Sequence, residues 1–226
     1  MQRLERTIAI DDATAVSSVW LVPEDYRPGG GDAVVLAHGA GTDMHAPFLS
    51  ALHEALARRG LLAVKFNFPY REQGRRAPDR APRLEAAWRA VLEALERDPL
   101  SPRRVFIGGR SMGGRIATHL AAAGAAVDGL VLLGYPLHPA GRPERERSAH
   151  LQAIPCPMLF VQGSRDRLCG LDRLRQLVAA LEPRARLHVI EEGDHGFAVP
   201  QRSGRTEQEV WTEIEAVVAD WIAARQ

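Results

Sequence analysis

Residues 105–115 read VFIGGRSMGGR, an apolar run that ends in a glycine-bracketed serine and passes at once into a helix-like segment. Gly109, Arg110, Ser111, Met112 and Gly113 spell G-x-S-x-G. That spacing suits a sharp strand-to-helix turn, which lifts the serine hydroxyl above the end of a sheet and tolerates only small flanking residues. The same turn aims the Met112 N–H, and the positive end of the following helix, at any oxygen beside the serine. Five residues of this kind are also compatible with a tight packing turn of no chemical consequence. The rest of the chain has to decide between the two readings.

The 226 residues fit one large domain, residues 1–226, with enough chain to bury a core unaided. A net charge of +1 spread over a chain that is 25% charged gives no global field to attract nucleic acid. The opening MQRLERTIAIDD lacks the apolar centre of a secretion signal, and no apolar run is long enough for a bilayer. A cytoplasmic protein with no membrane contact is the expectation. Cys156 and Cys169 make no disulfide framework and no zinc-ligand spacing, so free thiols and no metal are expected.

Working outward from Ser111, residues 104–108 are its strand, and the alanine-rich segment to residue 123 is a buried helix. Upstream, residues 4–10 and 16–22 flank Asp11-Asp12 as an edge hairpin, and residues 33–37 (AVVLA) are apolar throughout, as in a strand covered on both faces. Residues 46–59 carry apolar positions at helical spacing with Gly60 as a stop, and residues 61–68 form the next strand. Residues 69–82 read as a long loop, and residues 83–97 as an amphipathic helix. Downstream, residues 129–134, 158–162 and 186–190 are strands, while 171–181 and 206–224 are helices. This alternation predicts an α/β fold, a mostly parallel central sheet with helices on both faces. In such sheets ligands lie beyond the carboxyl ends of the strands.

Polar candidates sit at those ends. Ser111, Asp166 in GSRD and His195 in EEGDHGF each follow a different strand, in the order Ser, Asp, His. A serine hydroxyl needs a base within hydrogen-bond reach, and the base needs a carboxylate to fix its tautomer. His38-Gly39-Ala40-Gly41 follows the first parallel strand, where the Ala40 N–H could join that of Met112 as an oxyanion donor. Asp194 competes with Asp166 but suits bracing of the histidine loop, and Asp172 suits first-turn helix charge. His38 reads as a hydrogen-bonder that shapes its loop. His45 and His119 have no metal-ligand spacing.

On these residues the chain resembles the α/β-hydrolase superfamily: GRSMG looks like the nucleophile elbow, HGAG the oxyanion loop, GSRD the acid turn and GDHGF the histidine loop. HGAG, FNFPYREQGRRAPDR, GGRSMGGR and GDHGFAVP together resemble a branch of small lidless hydrolases near the dienelactone hydrolases. Dienelactone hydrolases proper use a cysteine nucleophile where this chain has Ser111, so that activity is not implied. What the resemblance implies is a serine hydrolase acting on a small ester or thioester without a cofactor, a non-catalytic interaction module or a peptidase being the alternatives. Arg71, Arg75, Arg76 and Arg80 crowd the loop at 69–82, either to bind an anionic substrate group or as a solvated loop balanced by Glu72 and Asp79. Arg110, Gly39 and Gly41 are further candidates for substrate contact. For Arg110 the alternative is an ion pair with an acid of the fold. Residues 135–157, where relatives in this superfamily insert a lid, are short and broken by prolines and charges.

Overall fold

The hydrophobic pattern resolves into one twisted sheet with a core on each face. The computed structural model describes residues 1–225. Its strands are β1 (Gln2–Asp11), β2 (Thr14–Val22), β3 (Asp32–Ala37), β4 (Leu62–Phe66), β5 (Arg104–Arg110), β6 (Gly129–Leu133), β7 (Met158–Gly163) and β8 (Ala185–Ile190). They lie in the order β1-β2-β4-β3-β5-β6-β7-β8. The β1–β2 hairpin is antiparallel and joins β4 antiparallel, while every pair from β4 to β8 is parallel. The helices are α1 (Pro47–Arg58), α2 (Pro69–Glu72), α3 (Ala81–Arg97), α4 (Met112–Ala122), α5 (Leu171–Ala180) and α6 (Glu207–Ala223).

Side chains alternate across a strand, so β3 feeds both cores: Ala33, Val35 and Ala37 face α3, α4 and α5, whereas Val34 and Leu36 face α1 and α6. This is why residues 33–37 are uniformly apolar. On the first face Leu84, Trp88 and Val91 of α3 pack with Ile116 and Leu120 of α4. On the second, Leu49, Leu52 and Leu56 of α1 meet Ile214, Val218 and Trp221 of α6. Thr206 caps α6: its Oγ1 accepts the Glu209 N–H at 3.2 Å while Glu209 accepts the Thr206 N–H at 2.7 Å.

The structure corrects two expectations of detail. The strand predicted over residues 61–68 ends at Phe66. The Asn67 N–H still reaches the Ser17 carbonyl of β2 at 3.0 Å, but its side-chain oxygen accepts the Met44 N–H at 2.9 Å and the Phe68 N–H is taken by His38. Residues 69–82 are not loop throughout. Pro69 opens the single turn α2, and α3 starts at Ala81, two residues early, because Pro82 sits where an N–H is not needed. Residues 135–157 carry only one 3₁₀ turn, Ala149–Ala153, and build no lid. No helix among the described residues is long and apolar enough to cross a membrane.

The chain leaves β3 for β4 on one side and returns to β5 on the other. A crevice therefore opens beyond the carboxyl ends of β3 and β5, between the segments that carry Ala40 and Ser111.

Candidate active site

Close backbone packing creates the turn at Ser111. A Cβ on Gly109, where φ is +135°, would stand 2.1 Å from the Ala37 carbonyl oxygen, and one on Gly113 would stand 2.4 Å from the same atom. Side chains there would prise β5 and α4 away from the end of β3. Ser111 itself has φ 49° and ψ −113°, a strained conformation for a residue with a side chain. The strain holds the hydroxyl above the sheet and leaves Met112, Gly113 and Gly114 as the first turn of α4, whose N–H groups have no intrahelical partners.

Two further strand ends meet the serine. His195 Nε2 lies 2.9 Å from Ser111 Oγ, and His195 Nδ1 lies 2.7 Å from Asp166 Oδ2. The Asp166 carboxylate is wholly buried, whereas the His195 side chain is 28% exposed, so the chain of contacts runs from the interior to the solvent edge. Asp166 also accepts the Leu168 N–H at 2.7 Å and the Gln162 side-chain amide at 2.5 Å. The acid turn and the histidine loop are laced together: the Arg165 N–H donates to Gly193 at 2.8 Å and the Glu192 N–H to Ser164 Oγ at 2.8 Å. Asp194 is occupied in bracing that loop, accepting the Gly196 and Ala198 N–H groups at 2.6 and 2.9 Å. Asp172 is exposed and pairs with Arg175.

The loop after β3 is shaped from within. The Gly39 carbonyl accepts from His38 Nδ1 at 2.8 Å, from Thr42 Oγ1 at 3.0 Å and from the Tyr70 hydroxyl at 3.4 Å. These contacts hold the Gly39 carbonyl toward the loop interior, and Ala40 borders the cavity beside Ser111. His38 Nε2 accepts the Phe68 N–H at 3.1 Å, which fixes the tautomer with the proton on Nδ1. Burial pushes the His38 pKa down to about 4, and burial does the same to His53, whose Nε2 faces the Ala63 carbonyl at 3.0 Å.

These two neutral histidines make stability pH-dependent. Their folded pKa values lie below the ordinary 6.5, so the unfolded chain binds protons that the folded one refuses. The stability they confer is complete above about pH 6.5 and is lost as pH falls toward 4, at roughly 2 kcal/mol per histidine by pH 5. Thermal unfolding at pH 7 and pH 5 should show a loss on acidification that shrinks by about half this pair's share in His53→Gln. An unchanged pH dependence in that variant would contradict the assignment.

Ser111, His195, Gly39, Ala40 and Arg110 line a cavity of about 290 Å³ with Phe48, Leu49 and Leu168. Of the sequence candidates, Gly41 lies outside it and serves as a left-handed turn with φ +77°. The arginine loop is not brought to the cavity: Arg71 pairs with Asp43 at 3.3 Å, Arg75 and Arg83 converge on Asp79, and Arg76 is exposed. Arg110 makes no ion pair with a carboxylate among the described residues. It donates from Nη2 to the His195 carbonyl at 2.6 Å and lies over the Phe197 ring. Gln162, Tyr70 and Thr42 escaped the sequence reading. Gln162 had a signal, being the one polar side chain in the apolar run MLFVQ just before the acid turn. Among the described residues no three His, Cys, Asp or Glu side chains converge as a metal site. Cys156 and Cys169 are free and buried, their thiols pushed up by burial to about 11 and 12.

A family description, the alpha/beta hydrolase domain, matches residues 31–223. The chain belongs to the alpha/beta hydrolase family. Solved structures share the hydrolase fold at low identity. A dienelactone hydrolase from Anabaena variabilis superposes with a TM-score of 0.76 at 20% identity, covering 99% of this chain and 97% of its own. A serine hydrolase without a lid from Xanthomonas campestris gives 0.74 at 20% identity, with 98% and 95% covered. A cold-adapted esterase from an Arctic intertidal metagenomic library gives 0.68 at 21% identity, with 99% and 92% covered. Like the Xanthomonas protein, this hydrolase domain has no lid.

Proposed function

We propose that the protein is a serine hydrolase that cleaves esters or thioesters of small substrates through an acyl-serine intermediate. The observation that carries this reading is the unbroken contact chain Ser111 Oγ–His195 Nε2, 2.9 Å, and His195 Nδ1–Asp166 Oδ2, 2.7 Å. His195 takes the hydroxyl proton as Ser111 Oγ bonds to the substrate carbonyl carbon. The resulting oxyanion is held by the Ala40 and Met112 N–H groups, and the leaving group departs with the proton that His195 returns. Water then repeats the sequence on the acyl-serine, releasing the acid and restoring the hydroxyl. Asp166 keeps the Nδ1 proton in place and stabilises the imidazolium formed on the way. A cavity of about 290 Å³ sits at the lower end of the usual range for ligand sites and suits a short acyl group. Neighbours of the same fold that carry the names esterase and dienelactone hydrolase support carboxylic ester chemistry.

An active-site-directed fluorophosphonate tests this directly. It should add one phosphonyl group per chain, mapped by mass to the peptide containing Ser111, and labelling should slow by about 10³-fold or more in Asp166→Asn, where the imidazole is held in the wrong tautomer. A folded wild-type chain that takes no label at Ser111 overturns the proposal.

A further inference from the structure

Arg110 is the outstanding chemical group that the hydrolytic steps leave unused. It stands next to the nucleophile at the end of β5, on the wall of the same cavity. None of the residues lining that cavity is acidic, and Arg110 is the one arginine or lysine among them. Among the described residues its single hydrogen bond runs from Nη2 to the neutral His195 carbonyl, Nε is buried without a partner, and Nη1 donates to nothing. A guanidinium kept in so enclosed a place has the Phe197 ring face, the His195 carbonyl and the fields of Asp166 and Asp194 to offset part of its desolvation, and no carboxylate beside it to complete the offset. Arginine does not deprotonate in proteins, so the positive charge stays. The loop arginines, by contrast, are exposed or turned to Asp43 and Asp79.

We infer that Arg110 is an anion subsite, and that the preferred substrates are short esters carrying a carboxylate a few atoms from the scissile bond, as in the half-esters of four- or five-carbon dicarboxylic acids. The inference rests on the serine hydrolase reading of the same cavity. Sequence adjacency to Ser111 limits the reach. The guanidinium end touches the His195 carbonyl while the serine hydroxyl touches the His195 ring, so both ends of the substrate must fit within the span of one side chain. The apolar wall of Phe48, Leu49 and Leu168 then contacts the methylenes between ester and carboxylate. Charge-assisted hydrogen bonds from a planar guanidinium suit a carboxylate.

The test compares monomethyl glutarate with methyl valerate, which differ mainly in the terminal carboxylate, by titrating acid release at constant pH. The wild type should prefer the half-ester in kcat/KM, and Arg110→Met should lower the half-ester to neutral-ester ratio by about 10- to 100-fold. Arg110→Lys, which keeps the charge without the planar fork, should retain part of the preference. A parallel measurement needs no turnover: glutarate binding to Ser111→Ala by calorimetry, expected to weaken at least 10-fold when Arg110→Met is added. If both esters lose rate equally in Arg110→Met and glutarate binding is unchanged, Arg110 is only a brace for the histidine loop and the inference falls. If glutarate binds through Arg110 while neither ester is cleaved and Ser111 takes no fluorophosphonate, the subsite stands and the hydrolase reading falls.

Discussion

Ser111→Ala is expected to lower kcat on any ester the wild type cleaves by about 10⁴-fold or more while leaving the thermal midpoint nearly unchanged. The two halves of that expectation come from different observations. The hydroxyl makes its hydrogen bond to His195 Nε2, so its loss removes the nucleophile and no core packing. The backbone at φ 49° and ψ −113° is retained, since alanine is no more at ease there than serine. Ser111→Gly separates the two. It should be just as inactive but more stable than the alanine variant by about 1 kcal/mol, because glycine is released from a conformation of the kind that costs ~1–3 kcal/mol. Initial rates and thermal unfolding on both variants check this, and catalysis within tenfold of wild type by either would remove Ser111 from the mechanism.

Gly109→Ala should be among the most destructive single-methyl additions in the chain, costing more than about 4 kcal/mol or preventing folding. The new Cβ would fall 2.1 Å from the Ala37 carbonyl oxygen and 2.6 Å from its nitrogen, atoms fixed in the central pair β3–β5, at a φ of +135° that alanine avoids. Neither obstacle can be relieved by a side-chain rotation. Gly41→Ala is the control. Its φ of +77° is also left-handed, but a Cβ there meets nothing within 4 Å, so the cost should stay near 1 kcal/mol. Denaturant unfolding and soluble yield distinguish the pair. Similar losses in both would mean that backbone angle, rather than the approach to β3, governs the elbow.

The sheet and the positions of Ser111, Asp166 and His195 were legible because each depends on pattern near in sequence. Residues 33–37 are apolar throughout because both faces of β3 are covered, and Ser111 and Asp166 stand just past comparable runs, while His195 follows the weaker edge strand β8. Legibility failed where a distant partner decides the outcome. Asn67 and Phe68 look like strand continuations, and it is the Met44 N–H on the Asn67 side chain and His38 Nε2 on the Phe68 N–H that turn the chain away after Phe66. For the arginines of residues 69–82 the sequence offered an anion site or a loop balanced by Glu72 and Asp79, and Arg75 does meet Asp79, whereas the engagement of Arg71 by Asp43, 28 positions away, was out of its reach. Arg110 is the converse. Its neighbours in sequence offered an anionic substrate or an acid of the fold, and what it finds is the carbonyl of a residue 85 positions away. Gln162 stands out as the one polar side chain of an apolar run and Tyr70 does not, and the grip of the two on Asp166 and Gly39 is a matter of geometry.

With only a 3₁₀ turn where a lid would stand, and a quarter of the His195 side chain facing outward at 28% exposure, nothing has to swing aside between one turnover and the next. Bulk water then has the same access to an acyl-serine as any other acceptor and outnumbers alcohols and amines by orders of magnitude. For the proposed serine hydrolase, such access favours hydrolysis of the acyl-serine. The site is poorly built for transferase chemistry, in which the acyl group must be sheltered until a second substrate arrives.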